Sequence, residues 1–150
     1  MKTRKHVHKE EFATPPERLF ELLITPSSIR QWWNAARVIV IPEKGGTWTA
    51  AWGDDEDDPD YVSAARIRAY EPPHRIVFGD YHHHAKDGPL PFDAEFVTEF
   101  AVSAIPNGAS LEVTQDGFPA LPEADDFYCA CQNGWAETFA GIRRLLDDSE

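Results

Sequence analysis

In the last third of the chain, apolar or near-apolar residues recur at Tyr128, Cys131, Trp135, Thr138, Ile142 and Leu145, with Phe139 and Leu146 beside them. Gaps of three and four place them along one face of a 3.6-residue helix. Pro122 suits a first helical turn, and Glu123, Asp125 and Asp126 put negative charge at the positive end of the helix dipole. Arg143 and Arg144 sit near the negative end. The pattern predicts one helix over roughly 122–148, about seven turns long. A stripe so heavy in aromatic rings needs a wide apolar surface, and the preceding sequence reads as strands able to supply it.

Residues 6–12 read as a polar, edge-like first strand. Thr14-Pro15-Pro16-Glu17 is a helix start, with Thr14 as N-cap, Pro15 at the first helical position and Glu17 completing a capping box. Leu19, Phe20, Leu22 and Leu23 give that short helix its buried face. Thr25-Pro26 repeats the start signal before a second short helix with Ile29, Trp32 and Trp33. Residues 37–41 are apolar enough for a buried strand, Glu43-Lys44-Gly45-Gly46 turns the chain, and 47–52 returns as the next strand. Strands follow over 61–70 and 75–81, separated by Pro72-Pro73. Residues 82–91 form a wide loop, and 95–104 with 110–116 form a final hairpin.

Strand, two short helices, six strands and a long helix predict an α+β fold with a curved antiparallel sheet of about seven strands. The sequence has no internal repeat, low-complexity block or linker, so residues 1–150 read as one domain. Twist curls a sheet of that size. A long helix laid across its concave side cannot fill the gap everywhere, and the expected product is an apolar cavity open at one end.

Composition sharpens this picture. The apolar fraction of 42% is ordinary, but 9 Phe, 5 Trp and 4 Tyr are many for one small domain. Such rings can wall off a space as well as fill one. A net charge of −12, with no basic face, argues against nucleic acid. Lys2, Arg4, Lys5 and Lys9 read as a solvated first strand. No apolar run reaches the length of a membrane span, and the polar start is no secretory signal. Cys129 and Cys131 would point about 200° apart around a helix axis, which favours reduced thiols and a cytoplasmic location.

Candidate chemistry is sparse. No nucleophile elbow, phosphate loop or dinucleotide fingerprint is present, and no cofactor is assigned. The acidic run at 54–60 lacks the glycine and closing glutamate of an EF-hand loop. Of His82, His83 and His84, only the first and last would share a side of an extended segment, so no metal site is assigned. Gly134 and Gly141, two turns apart on the final helix, imply that either a strand, the preferred reading, or a ligand passes close by.

Several strings carry a family resemblance. Thr14-Pro15-Pro16-Glu17-Arg18-Leu19-Phe20 resembles an "A-P-x-x-V-F" helix start, and Trp32-Trp33 resembles the "W-W" that ends the second helix. Gly45-Gly46-Thr47-Trp48, Glu71-Pro72-Pro73-His74-Arg75-Ile76 and Leu111-Glu112-Val113-Thr114-Gln115-Asp116-Gly117-Phe118 resemble "G-G-x-W/F", "P-P-x-R-L" and "L-x-x-x-x-x-G-F". Gly134-Trp135 matches the "G-W" of the last helix. Together they resemble the START-like (SRPBCC) superfamily. Within it they resemble the family named after the C-terminal domain of the activator of the heat-shock protein 90 ATPase. The resemblance implies the helix-grip fold, in which the long helix covers a cavity.

Strand alternation places His8, Glu10, Phe12, Trp48, Ala50 and Trp52 inward, then Tyr61, Ser63, Ala65 and Ile67. Ile76, Phe78, Asp80, Phe96, Thr98, Phe100, Leu111, Val113 and Gln115 complete the inward set. The expected function is non-catalytic binding of a small hydrophobic or amphipathic ligand. Trp33, Trp48, Phe78, Phe96 and Trp135 would form the walls with Cys131, while Tyr61 and Gln115 orient the ligand. Alternatives are a cyclase, aromatase or hydrolase using His8, Glu10 or Asp80, and a chaperone-associated interaction module. A homodimer through an outer apolar face is possible from sequence.

Overall fold

In the computed structural model, residues 2–148 are described, and β1 (Thr3–Phe12) starts three residues before the polar strand expected over 6–12. It pairs antiparallel with the last strand, β7 (Gly108–Pro119). The next strand in sequence, β2 (Arg37–Val40), lies at the opposite edge of the same seven-stranded sheet, whose order is β1-β7-β6-β5-β4-β3-β2. Two short helices make that long crossing, α1 (Pro16–Ile24) and α2 (Pro26–Trp33). The remaining strands form a meander: β3 (Thr47–Trp52), β4 (Tyr61–Glu71), β5 (Arg75–Ala85) and β6 (Val97–Ile105).

The crossing helices plug one end of the curved sheet. Leu19, Leu22, Leu23 and Ile29 are fully buried, and Phe20 and Trp32 nearly so. Two buried indoles tie the plug together: Trp32 Nε1 donates to the Leu22 carbonyl at 2.8 Å, and Trp48 Nε1 to the Leu23 carbonyl at 3.0 Å. A buried indole N–H needs such a partner.

The caps at the helix starts differ in part from expectation. Pro15, not Thr14, is the N-cap of α1, no side chain caps it, and Thr14 is buried instead. Thr25 is the N-cap of α2 with Pro26 in its first turn, as expected, but its hydroxyl donates to the Glu21 carbonyl of α1 at 2.7 Å instead of capping α2. β2 is an edge strand, with Ile39 61% exposed, because it has a partner on one side alone. β5 runs through His82, His83 and His84, where a loop was expected.

A single 3₁₀ turn (Pro122–Ala124) leads into α3 (Asp125–Asp148). Its buried face is Trp135, Thr138, Phe139, Gly141, Ile142 and Leu146. A Cβ at Gly141 would sit 2.6 Å from the Trp32 carbonyl oxygen, so the close neighbour is α2 and not a strand. Gly134 has nothing within 4 Å of that position. The other end of α3 is pinned to the edge strand. Arg4 Nη1 lies 2.8 Å from Asp125 Oδ1, and the Tyr128 hydroxyl donates to the Lys5 carbonyl at 3.0 Å. No helix among the described residues is long and apolar enough to cross a membrane.

Candidate functional site

Between the sheet and the first half of α3 lies a partly open cavity of about 230 Å³. Trp33 from the end of α2 and Trp52 from β3 close one side, meeting edge to face at 4.9 Å between ring centroids. Tyr61 and Ser63 of β4 follow, then Tyr81 and His83 of β5, whose rings lie nearly parallel (12°) at 5.4 Å. Phe96, Phe118 and Phe127 close the far side as a triad, with centroids 5.0, 5.4 and 6.0 Å apart. Thr98, Gln115 and Cys131 complete the lining.

The polar groups are held in specific orientations. The Tyr81 hydroxyl donates to the Thr98 hydroxyl at 2.9 Å, and Trp135 Nε1 donates to Gln115 Oε1 at 2.9 Å. Because its oxygen is taken, the Gln115 amide keeps its NH2 as the free donor end. Burial pushes the Tyr61 and Tyr81 phenols up to about 12 and the Cys131 thiol up to about 11. Burial, with a smaller contribution from His82, pushes His83 below the usual histidine value. Each shift favours the neutral form, so at pH 7 the cavity wall carries no net charge.

Of the eight side chains expected to contact a ligand, Trp33, Tyr61, Phe96, Gln115 and Cys131 border this cavity. Trp48, Phe78 and Trp135 sit deeper. They surround a residual void of about 20 Å³ that shares Trp33, Tyr81, Thr98 and Gln115 with the main cavity. Trp48 and Phe78 pack at 4.8 Å there, with Phe100 against both.

Asp80 does not point inward. Ala64 pairs with His82 and Arg66 with Gly79, so one residue of β4, Ala65, faces two of β5, Asp80 and Tyr81. The extra residue is Asp80, at φ 51, a left-handed conformation that Asp tolerates better than most residues. Its carboxylate lies outside, 2.8 Å from Arg68 Nη2, which holds it below the usual carboxylate range. The bulge reverses the alternation of β5: Ile76 and Phe78 face the core, and beyond the bulge Tyr81 and His83 do.

The inward polar groups of β1 also miss the cavity. The His8 ring stacks beside Trp135 at 6.3 Å, and its Nε2 lies 2.8 Å from His6 Nδ1. Glu10 is half exposed at the edge, 3.4 Å from Arg143. Cys129 and Cys131 are both free, Cys129 exposed. Among the described residues, no three His, Cys, Asp or Glu side chains converge as a metal site.

Among the lining residues that were not singled out, Trp52, Ser63 and Thr98 were in the inward set, and Phe127 lies one helical turn before Cys131 on the same face. Phe118 sits in the Gly117-Phe118 string. Tyr81 and His83 could be found only by reading Gly79-Asp80 as a bulge.

The model of the family described as activator of Hsp90 ATPase homolog 1-like protein matches residues 13–147. The chain belongs to this family. The activator homologue family also covers the expected α+β helix-grip architecture, and solved structures share it. Protein MLL2253 from Mesorhizobium loti is 26% identical, with a TM-score of 0.79 over 98% of this chain and 99% of that one. A protein from Rhodobacter sphaeroides is 23% identical, with a TM-score of 0.77 over 97% and 93% of the two chains. DynU16, a protein of the dynemicin biosynthetic locus, is 16% identical with a TM-score of 0.70, covering 97% of this chain and 48% of its own. At such identities the last two likenesses speak for the fold alone. No curated protein matches the sequence.

Proposed function

We propose that residues 1–150 act as one cytoplasmic domain that binds a small hydrophobic or amphipathic molecule in the cavity under α3, without transforming it. The observation that carries this reading is a ring-walled cavity of about 230 Å³ holding a few oriented polar groups. Such a site is the usual form of a small-molecule pocket. The family membership supports it, since relatives of the SRPBCC type commonly hold hydrophobic ligands.

The electrostatics favour binding over catalysis. A general acid or base works best with a pKa near the operating pH. Here every shifted group in the wall moves away from neutrality: Tyr61, Tyr81 and Cys131 upward, His83 downward. His8, Glu10 and Asp80, the groups an enzyme reading would use, lie outside the lining.

The test is native mass spectrometry of freshly purified protein beside the Phe96→Trp variant. Phe96 is 8% exposed and borders the cavity, so a larger ring there takes up the space. The expected result is a mass excess of a few hundred daltons, lost on denaturation and absent from the folded variant. An adduct retained at full occupancy in Phe96→Trp would overturn the reading.

A further inference from the structure

We infer that the cavity selects an uncharged, planar aromatic compound bearing a hydroxyl or carbonyl oxygen, and that it excludes carboxylates and disfavours flexible alkyl chains. The inference rests on the ligand-binding reading above and narrows it, because many amphipathic molecules are anions with long chains.

Three features of the wall point the same way. The first is charge. None of the twelve lining residues is Asp, Glu, Lys or Arg, and the chain as a whole carries −12. A carboxylate entering there would lose its water without gaining a cation, inside a negative field. It could enter only as the neutral acid, which at pH 7 is the minor form by a factor of at least about 100.

The second feature is shape. Eight of the twelve lining residues carry aromatic rings, and not one is Leu, Ile, Val or Met. Stiff flat rings meet a flat partner by offset stacking or edge-to-face contact, a gain beyond the area they bury. A writhing acyl chain gains none of that. The volume of about 230 Å³ lies below the usual range for drug-sized ligands, which fits a compound of about two fused rings.

The third feature is where hydrogen bonds are still on offer. Among the described residues, the Tyr61 hydroxyl and the His83 ring have no hydrogen-bond partner within the protein, and their rings are neighbours at 5.9 Å. A neutral imidazole presents one donor and one acceptor, and a phenol can do both. The pair is therefore suited to one ligand hydroxyl or carbonyl oxygen.

The test uses four probes on the intact protein: 2-naphthol, 2-naphthoate, decanol and naphthalene. Binding is read by quenching of Trp33 and Trp52 fluorescence and by calorimetry, between pH 6 and 8. The expected result is that 2-naphthol binds at least about 100-fold tighter than 2-naphthoate at pH 7. Naphthoate affinity should rise about tenfold for each pH unit lowered, the signature of an acid that binds only when protonated. Decanol should bind about three- to tenfold more weakly than naphthol. Tyr61→Phe should weaken 2-naphthol about two- to tenfold and leave naphthalene unchanged.

Naphthoate binding as tightly as naphthol, or with no pH dependence, overturns the charge selection. Decanol binding tighter overturns the shape selection. Equal losses for naphthol and naphthalene in Tyr61→Phe overturn the oxygen recognition. Failure of all four probes overturns the ligand class as a whole, while the native mass adduct separately decides whether the cavity binds anything.

Discussion

The two halves of the space under α3 are built from the same sheet and the same helix, yet one is packed almost solid, with a void of about 20 Å³, and the other is hollow. In the closed half, Leu19, Leu22, Leu23 and Ile29 of the crossing helices meet Phe139, Ile142 and Leu146 of α3 over Trp48, Phe78 and Phe100. In the hollow half, α3 presents Phe127 and Cys131, and the sheet answers with Ser63, Thr98 and Gln115. The crossing helices do not reach that far, and short polar side chains stand where branched aliphatic ones would fill. A cavity therefore needs no special device, only a local shortage of filling side chains opposite a rigid wall.

That contrast can be broken most severely in the closed half. Leu22→Ala should cost about 2–5 kcal/mol, the range for emptying a packed core position. Phe127→Ala, which enlarges a space already there, should cost less than half as much; urea denaturation measures both. Equal losses would mean that the hollow half is packed in solution. Gly141→Ala probes the hinge between the halves, where α3 touches the Trp32 backbone. The added methyl should destabilise by about 1–3 kcal/mol, as overpacking does.

Acid should act on the hollow side. His6 is buried against Phe118, Tyr128 and His8, and its pKa falls from 6.5 to about 4 through burial and then the nearby His8. Below about pH 6.5 the unfolded chain takes up a proton that the folded protein refuses until about pH 4. Stability should fall across that window and then level off. His8 and His83, also shifted downward, act in the same direction. His6 lies near the rim of the sheet, where solvent damps the effect to about 1–2 kcal/mol. Denaturation midpoints against pH, repeated in His6→Phe, should show the slope shrink in the variant. Smallest of all, Gly134→Ala should stabilise by about 0.5–1 kcal/mol, because the position is helical and meets nothing. Its opposite sign to Gly141→Ala makes the pair a sharp check on which face of α3 is covered.

Much of this arrangement was readable from residue spacing. The periodicity of α3 and the alternation of Trp48, Ile67, Phe78, Phe100 and Val113 reflect which face of each element is dry, and that is written locally. What alternation could not carry is the bulge at Asp80, since one inserted residue reverses every side chain beyond it. Hence Tyr81 and His83 reached the cavity wall unannounced, while Asp80 went out to Arg68. The side-chain caps are absent for a related reason, although Thr25 does occupy the N-cap position of α2. Thr14 and Thr25 have the right chemistry, but their hydroxyls were claimed by burial and by the end of α1. The depth of Trp48, Phe78 and Trp135 depends on how far α1 and α2 intrude, which no local pattern records.

The aromatic lining has one further consequence. A ring has only two side-chain torsions, and contacts such as the Phe96, Phe118 and Phe127 triad leave those torsions few alternatives. No long aliphatic arm borders the void to swing into it. On the ligand-binding reading proposed above, the empty cavity would already have the shape of the occupied one, and binding would require almost no internal reordering, which shifts the balance of affinity toward contacts alone.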